Sequence, residues 1–403
     1  MVAALLAAGC ATYQDRVAPA RGAADAGQWA AAAARFEETL ARGAGHDRIL
    51  LLMEAGLCRL YAGQNAAAIA LLAEADRQTE EAYTRVLQQA GSLLATDNVI
   101  DYRPEPFEAS LINTYLALAH AVQGQWPAAG VECRRMHNRL ERLQRAMGET
   151  TYRLSNPFGS YLSGVLYEQE GRPDEAYIDY KRVAEWTRCA PVMDDLLRLA
   201  QRLGFSDDVR RWQEAAGPRE MPLSPLGPDR GELVLLIEAG RSPLKIQTSY
   251  ALAVPDLASR PRQTRSVRVQ LGGEPAIEAC EIADLDRLAR EQLAARRAAI
   301  LAKQSLVTVG KIVLAQEAGD RADSDLLTFL LLGFFLFTNR ADTRSWTSLP
   351  GAVYVARAAL APGSYPLTLQ LAGLSGAPWQ TLDLGTIEIR PWERTVRAVR
   401  VLF

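Results

Sequence analysis

Three histidines, His46, His120 and His137, are the only imidazoles in the chain, so acid–base chemistry near neutral pH has few carriers. His120 stands four residues before Gly124, on a helix face that packs inward in a helical hairpin, so a core histidine is expected there. Asp194-Asp195 and Asp207-Asp208 are adjacent carboxylates, which point in different directions on a helix and cannot share one acid/base task. Ser324 and Ser345 have no base beside them in sequence. No HExxH, GxSxG, P-loop or GxGxxG spacing occurs, and those are the patterns that place a metal, an activated serine or a phosphate. Catalytic, cofactor-binding and metal-binding residues are therefore expected to be none, and the chain reads as a non-enzyme. Cys58, Cys133, Cys189 and Cys280 show no CxxC spacing and no zinc-ligand register with a histidine. An oxidising compartment would permit disulfides, but buried free thiols are the expected state.

The elements around these residues are written by one turn, used four times. Gly27-Gln28-Trp29, Gly63-Gln64-Asn65, Gly124-Gln125-Trp126 and Gly171-Arg172-Pro173 each close one helical segment and open another. Five residues after each glycine stands an alanine, Ala32, Ala68, Ala129 or Ala176. Nine residues after it stands Phe36, Leu72, Cys133 or Tyr180. The glycine supplies a left-handed helix end that a side chain would strain, and the alanine lets two helices approach. Small pairs, Ala55-Gly56 and Ser163-Gly164, fall eight and seven residues before their glycines. This spacing resembles the helix-turn-helix of tetratricopeptide (TPR) repeats. The copies stand 36, 61 and 47 residues apart, so the array is degenerate, and about eight helices with a shallow groove are expected.

The segment before Cys10, an apolar run ending Ala7-Ala8-Gly9, resembles the lipobox of bacterial lipoproteins, which implies lipid attachment at Cys10. No Lys or Arg precedes the run, and it is shorter than a usual signal sequence, which a start codon further upstream would explain. Ala11 is not the Asp that marks inner-membrane retention in that class, so the outer membrane, facing the periplasm, is the implied location. Residues 1–9 then read as signal peptide and 10–24 as a tether.

The 403 residues carry a net charge of -2 and a pI near 6.1, which gives no bulk reason to expect nucleic acid. Residues 25–215 read as the TPR-like helical repeat domain. Within it, residues 91–106 hold two prolines and read as a loop laid over the repeats. Residues 216–231 hold four prolines and read as a linker. Residues 232–403 read as a β-rich, sandwich-like domain, so the fold class is α+β multidomain. There Leu233 to Ile237 reads as a buried strand. Pro362-Gly363-Ser364-Tyr365 before an alternating strand suits a tyrosine corner. Helices near 284–303 and 326–338 interrupt the strands. The first is basic and amphipathic, read as a solvated face or an anionic-surface contact. The second is apolar but about half the ~20 residues a bilayer helix needs, so a buried core helix is expected. Asp342-Thr343-Arg344-Ser345-Trp346 is expected as a lid on the sandwich, with a contact to the repeats as the alternative.

Pro104-Glu105-Pro106-Phe107-Glu108, Asn156 to Gly164, Ala176 to Lys181, Gly231 to Leu236 with Ser242-Pro243-Leu244-Lys245, and Asp342 to Trp346 with Leu349-Pro350 carry a closer resemblance. In these runs the chain resembles an uncharacterised family of bacterial TPR-containing envelope lipoproteins. The resemblance implies a scaffold or adaptor whose repeats bind envelope proteins in cell-envelope assembly or maintenance, held to the membrane by its N-terminal lipid. A glycan- or lipid-binding module acting through the β-domain is the second reading. Neither requires a cofactor, and the oligomeric state is left open.

Overall fold

A computed structural model describes residues 13–88, 101–147, 152–216, 226–248, 254–297, 313, 316–317, 341–373 and 378–403. Cys10, residues 91–100 of the expected loop, the prolines at 218, 222 and 225, Ser324 and the apolar segment 326–338 lie outside these residues.

Ten helices pair as five hairpins among the described residues: α1 (Tyr13–Asp25) with α2 (Trp29–Gly43), α3 (Arg48–Tyr61) with α4 (Asn65–Gln88), α5 (Pro106–Ala121) with α6 (Trp126–Met147), α7 (Pro157–Gln169) with α8 (Pro173–Ala184), and α9 (Ala190–Leu203) with α10 (Ser206–Ala216). Residues 13–24, expected as tether, are instead helix. Val17, Ala20 and Ala24 give α1 an apolar stripe that is buried, and burial of that stripe decides for helix.

The turn glycines Gly27, Gly63, Gly124 and Gly171 have φ of 73°, 73°, 69° and 72°. A fifth, Gly204, has φ 74°. In each turn the residue after the glycine is used twice. In the second, the Gln64 amide donates to Arg59 O at 2.9 Å, and Gln64 O accepts from the Ala68 amide at 3.0 Å. One residue thus satisfies an orphan carbonyl of the outgoing helix and an orphan amide of the incoming one. Ala32, Ala68, Ala129 and Ala176 are fully buried. A Cβ on Gly56 would stand 2.7 Å from Leu72, and one on Gly164 would stand 2.6 Å from Tyr180. The small residue seven before the turn therefore receives the bulky residue nine after it.

The chain forms two compact units, and neither follows the helical-then-strand division read from the sequence. Unit 1 comprises residues 1–105, 243–259 and 290–348; unit 2 comprises 106–242, 260–289 and 349–403. Unit 1 holds the first two hairpins and a two-stranded sheet of β2 (Leu244–Gln247) and β3 (Pro255–Ala258). Unit 2 holds the other three hairpins and two four-stranded sheets. One sheet has the order β10 (Arg394–Val401), β1 (Gly231–Ala239), β7 (Ala352–Leu360), β6 (Cys280–Asp284). The other has the order β5 (Ile277–Glu278), β4 (Ser266–Leu271), β8 (Gly363–Ala372), β9 (Pro378–Ile389). Their facing side chains, among them Leu235 and Ile237 of β1, Val269 of β4, Tyr354 of β7 and Leu369 of β8, form one core. Tyr365 closes the tyrosine corner, donating to Ala361 O at 2.9 Å.

Alternation along β1 makes unit 2 three layers deep. Leu233, Leu235 and Ile237 face the sandwich, while Glu232 and Glu238 face the helices and bond to them or beside them. Buried on both sides, β1 reads as a continuous apolar run rather than an alternating one.

Candidate functional site

In a helical hairpin array the first helix of each pair presents a face that an extended ligand could occupy. Here that face is taken by the chain itself. In unit 2, Tyr115 of α5 donates to Glu238 of β1 at 2.7 Å. Beyond it lies an ion cluster. Arg357 of β7 stands 2.6 Å from Asp195, 2.7 Å from Glu232 and 3.2 Å from Glu168. Arg394 pairs with Glu232 at 2.5 Å, and Arg198 with Glu168 at 2.7 Å. Tyr180 donates to Glu168 at 2.7 Å. Three guanidinium groups meet three carboxylates, so the buried charge balances. Burial alone would raise the Glu168 carboxyl, but Arg357, Arg394 and Arg198 hold it well below the usual carboxylate range.

In unit 1 the covering segment is residues 341–348, which is neither helix nor strand. Arg344 reaches Asp47 at 2.9 Å and Asp342 at 2.8 Å, with its guanidinium over the Tyr102 ring. Trp346 is buried. Glu54 of α3 accepts from the Thr347 amide and hydroxyl, both at 2.7 Å, and from the Ser348 amide at 3.1 Å. Asp342 to Trp346 is therefore a contact to the repeats and not a lid on the sandwich. The acidic residues of α3 and the turn before it supply the acceptors that the segment's donors require. Glu105 closes the same unit, paired with Lys245 at 2.6 Å and with Arg296.

Other residues singled out by the sequence also find structural partners. His120 is half-exposed at its turn, bonded to Gln125 at 2.6 Å, rather than in the core. His137 sits between Asp179, at 3.1 Å, and Arg182, at 3.3 Å. Cys189 and Cys280 form a disulfide, against the expectation of free thiols, because the start of α9 meets β6 in unit 2. Cys58 and Cys133 are buried and belong to no disulfide among the described residues. The basic helix covers residues 285–297 in the described part. Its arginines are engaged, Arg287 over the Trp186 ring and Arg290 with Leu257 O at 3.0 Å. Among the described residues no group of His, Cys, Asp and Glu could hold a metal, and no helix is long and apolar enough to cross a membrane.

Among the described residues a groove of about 820 Å³ is open on the outer side of α8 and α10, the second helices of the last two hairpins. Its floor is Tyr177, which donates to Asp208 at 2.6 Å and accepts from the Trp212 indole N–H at 2.7 Å. Burial, then the Asp208 carboxylate, pushes the Tyr177 phenol up, so it stays protonated as a donor. Phe205 stacks at 5.5 Å from Tyr177 yet is 43% exposed, and Ile178 beside it is 51% exposed. Its lining also takes in Arg153, then Lys181, Arg182 and Glu185 of α8 and its end, and Asp207 and Asp208 in the first turn of α10.

The sequence did carry a signal for this groove. Residues equivalent to Phe205, directly after the turn glycine, are Gln28, Gln64, Gln125 and Arg172. Residues equivalent to Ile178, seven after it, are the exposed Ala34, Ala70 and Val131 in the first three hairpins. Phe205 is thus the departure from the repeat, while an exposed apolar residue at the Ile178 position also occurs in the third hairpin. The fifth turn lacks the repeat's signature in the sequence, because Val209 stands where the others have alanine.

No family model matches the chain, and no curated protein is significantly similar to it. Among solved structures it is similar to MamA, at 13% identity and TM-score 0.33, over 49% of this chain and 91% of that one. It is also similar to PilF of Pseudomonas aeruginosa, at 15% identity and TM-score 0.36, over 51% of this chain and 74% of that one. A putative kinesin light chain of Podosopora anserina with nearly identical TPR-like repeats aligns at 16% identity and TM-score 0.33, over 50% of this chain and 92% of that one. At these scores the likeness carries no argument, and the TPR-like reading rests on the chain's own turns and packing.

Proposed function

We propose that the protein is a lipid-anchored scaffold of the cell envelope, held at the periplasmic face of the outer membrane through Cys10, and that it binds an envelope protein partner. The observation that carries the binding role is the groove beside α8 and α10, where Ile178 and Phe205 line one opening and stay exposed, Phe205 standing where the other turns have Gln or Arg. Exposed apolar groups flanked by charge suit a protein partner. The inner hairpin faces are filled by the chain, so the partner uses the outer face. The Cys189–Cys280 disulfide suits an oxidising compartment, and Ala7-Ala8-Gly9 before Cys10 suits lipidation. The role is one of binding, with no catalysis assigned.

The test is capture from detergent-solubilised envelopes by wild type, Phe205→Asp and Ile178→Asp, with palmitate labelling of wild type and Cys10→Ala. Loss of partner in both groove variants is expected, and loss of label in Cys10→Ala. Unchanged capture removes the groove from the reading; unchanged labelling removes the anchor.

A second reading, a glycan- or lipid-binding module, draws on Trp379 and Phe403. They are 40% and 44% exposed and meet edge-to-face at 5.6 Å. Trp392 is 61% exposed. Co-sedimentation with purified peptidoglycan that is lost in Trp379→Ala and kept in Phe205→Asp would favour it.

A further inference from the structure

The kind of partner follows from what the groove offers and what it lacks; this step rests on the groove being the partner site proposed above. Its principal walls, α8 and the start of α10, are helix faces. An extended peptide gains its affinity from unpaired backbone groups of a sheet edge, whereas a helix arrives with its own backbone bonds made and needs only side chains to meet. The groove supplies side chains. Ile178 and Phe205 form a short apolar strip over the Tyr177 ring, the width of one helical stripe.

Charge then fixes the direction in which such a helix lies. Arg153 is exposed, and Lys181 of α8 stands 3.9 Å from Asp208 with its ammonium over the Tyr177 ring. On α10 Asp207 is 91% exposed at its side chain and shares a surface pair with Arg210. Basic Arg153 and Lys181 and acidic Asp207 thus belong to different elements of the lining, and all three reach solvent. We infer that the groove receives an amphipathic helix of a partner protein, its apolar residues one turn apart on Ile178 and Phe205. An acidic row of that helix faces Arg153 and Lys181, and a basic row faces Asp207.

The probes are two 18-residue helical peptides, each with leucines at i, i+3, i+4 and i+7. One carries Glu on the flank facing α8 and Lys on the flank facing α10 when its leucines are seated. The other has the flanks exchanged. Binding is read by fluorescence anisotropy on the full-length protein at low salt. The first peptide is expected to bind at least tenfold tighter than the second. Phe205→Asp should weaken both by tenfold or more, and the charge reversal Arg153→Glu/Lys181→Glu/Asp207→Lys should invert the preference. All these positions lie at the surface of the groove, and circular dichroism checks that the variants fold. Equal binding of both peptides, no binding of either, or a preference untouched by charge reversal overturns the helix. Self-association of the wild type that is lost in Phe205→Asp, seen by sedimentation velocity, would also overturn it by naming a second copy as the occupant. Envelope capture that depends on Phe205 while the peptides fail leaves the scaffold standing and removes only the helix. Peptide discrimination without any Phe205-dependent capture does the reverse.

Discussion

Arg357 on β7 lies 2.6 Å from Asp195 on α9, a contact made across 162 positions of sequence. Both side chains are buried, Asp195 fully, and Arg357 also serves Glu232 and Glu168. Helices and sheet in unit 2 are therefore joined by charge as well as by apolar packing.

Removing the arginine leaves buried carboxylates short of a partner. Arg357→Met is expected to destabilise the protein by ~3–5 kcal/mol, measured by urea unfolding. The exposed pair Arg210–Asp207 is the control, and Arg210→Ala should stay within ~0.5 kcal/mol of wild type. Equal effects from both variants would show that the cluster is not desolvated.

Two glutamates of unit 1 respond to pH with opposite sign. Burial alone would raise Glu105, but Lys245 and Arg296 bring its carboxyl down to about 2. Its ordinary value is about 4.3, so its contribution is present above that pH and is lost as pH falls toward 2. Burial raises Glu54 despite its bonds to Thr347 and Ser348. Its protonated form therefore favours folding, a contribution full below about 4.3 and lost as pH rises through its folded value. Urea titrations from pH 6 to pH 2 should show Glu105→Gln weaker than wild type at pH 6 and converging with it in acid. Parallel curves for wild type and variant would contradict the ion pairs.

The disulfide predicts a thiol pattern. Alkylation of denatured, unreduced protein should modify Cys58 and Cys133 and spare Cys189 and Cys280. Cys189→Ser should cost ~2–4 kcal/mol of stability under oxidising conditions. Modification of Cys280 before reduction would refute the bridge.

Two glycines are needed for different reasons, and asparagine separates them. Gly63 has φ 73° with open space around it, whereas Gly164 meets the Tyr180 ring. Gly63→Val should cost ~1 kcal/mol or more, and Gly63→Asn less, because Asn tolerates the left-handed region. At Gly164 the order is set by volume, and Gly164→Asn should exceed the ~1–3 kcal/mol expected of Gly164→Ala. The Tyr180 ring cannot swing away without releasing Glu168. Thermal unfolding that ranks both sites alike would remove the distinction.

The helical turns and the buried strand were legible because each depends on local chemistry: Gly63 needs its conformation, and Leu233 to Ile237 needs two covered faces. The assignment of Arg344 and Trp346 to the first hairpins was not legible. Their partners Asp47 and Glu54 lie nearly 300 residues away, and no periodicity encodes a contact that distant. The same holds for Cys189 and Cys280, whose 91-residue separation carries no spacing rule. Phe205 was legible only as a departure from a repeat, which required its own degenerate turn to be counted first.

The way residues 290–348 complete unit 1 and 349–403 complete unit 2 also sets an order of events during synthesis. The hairpins leave the ribosome with their inner faces bare, and Glu168 precedes Arg357 by 189 positions and Arg394 by 226. At ~5–20 residues per second the wait is on the order of 10–45 s. Until then Arg198 is the arginine that the helices themselves offer Glu168 and Asp195, and the cluster is completed only when β7 and β10 have been made.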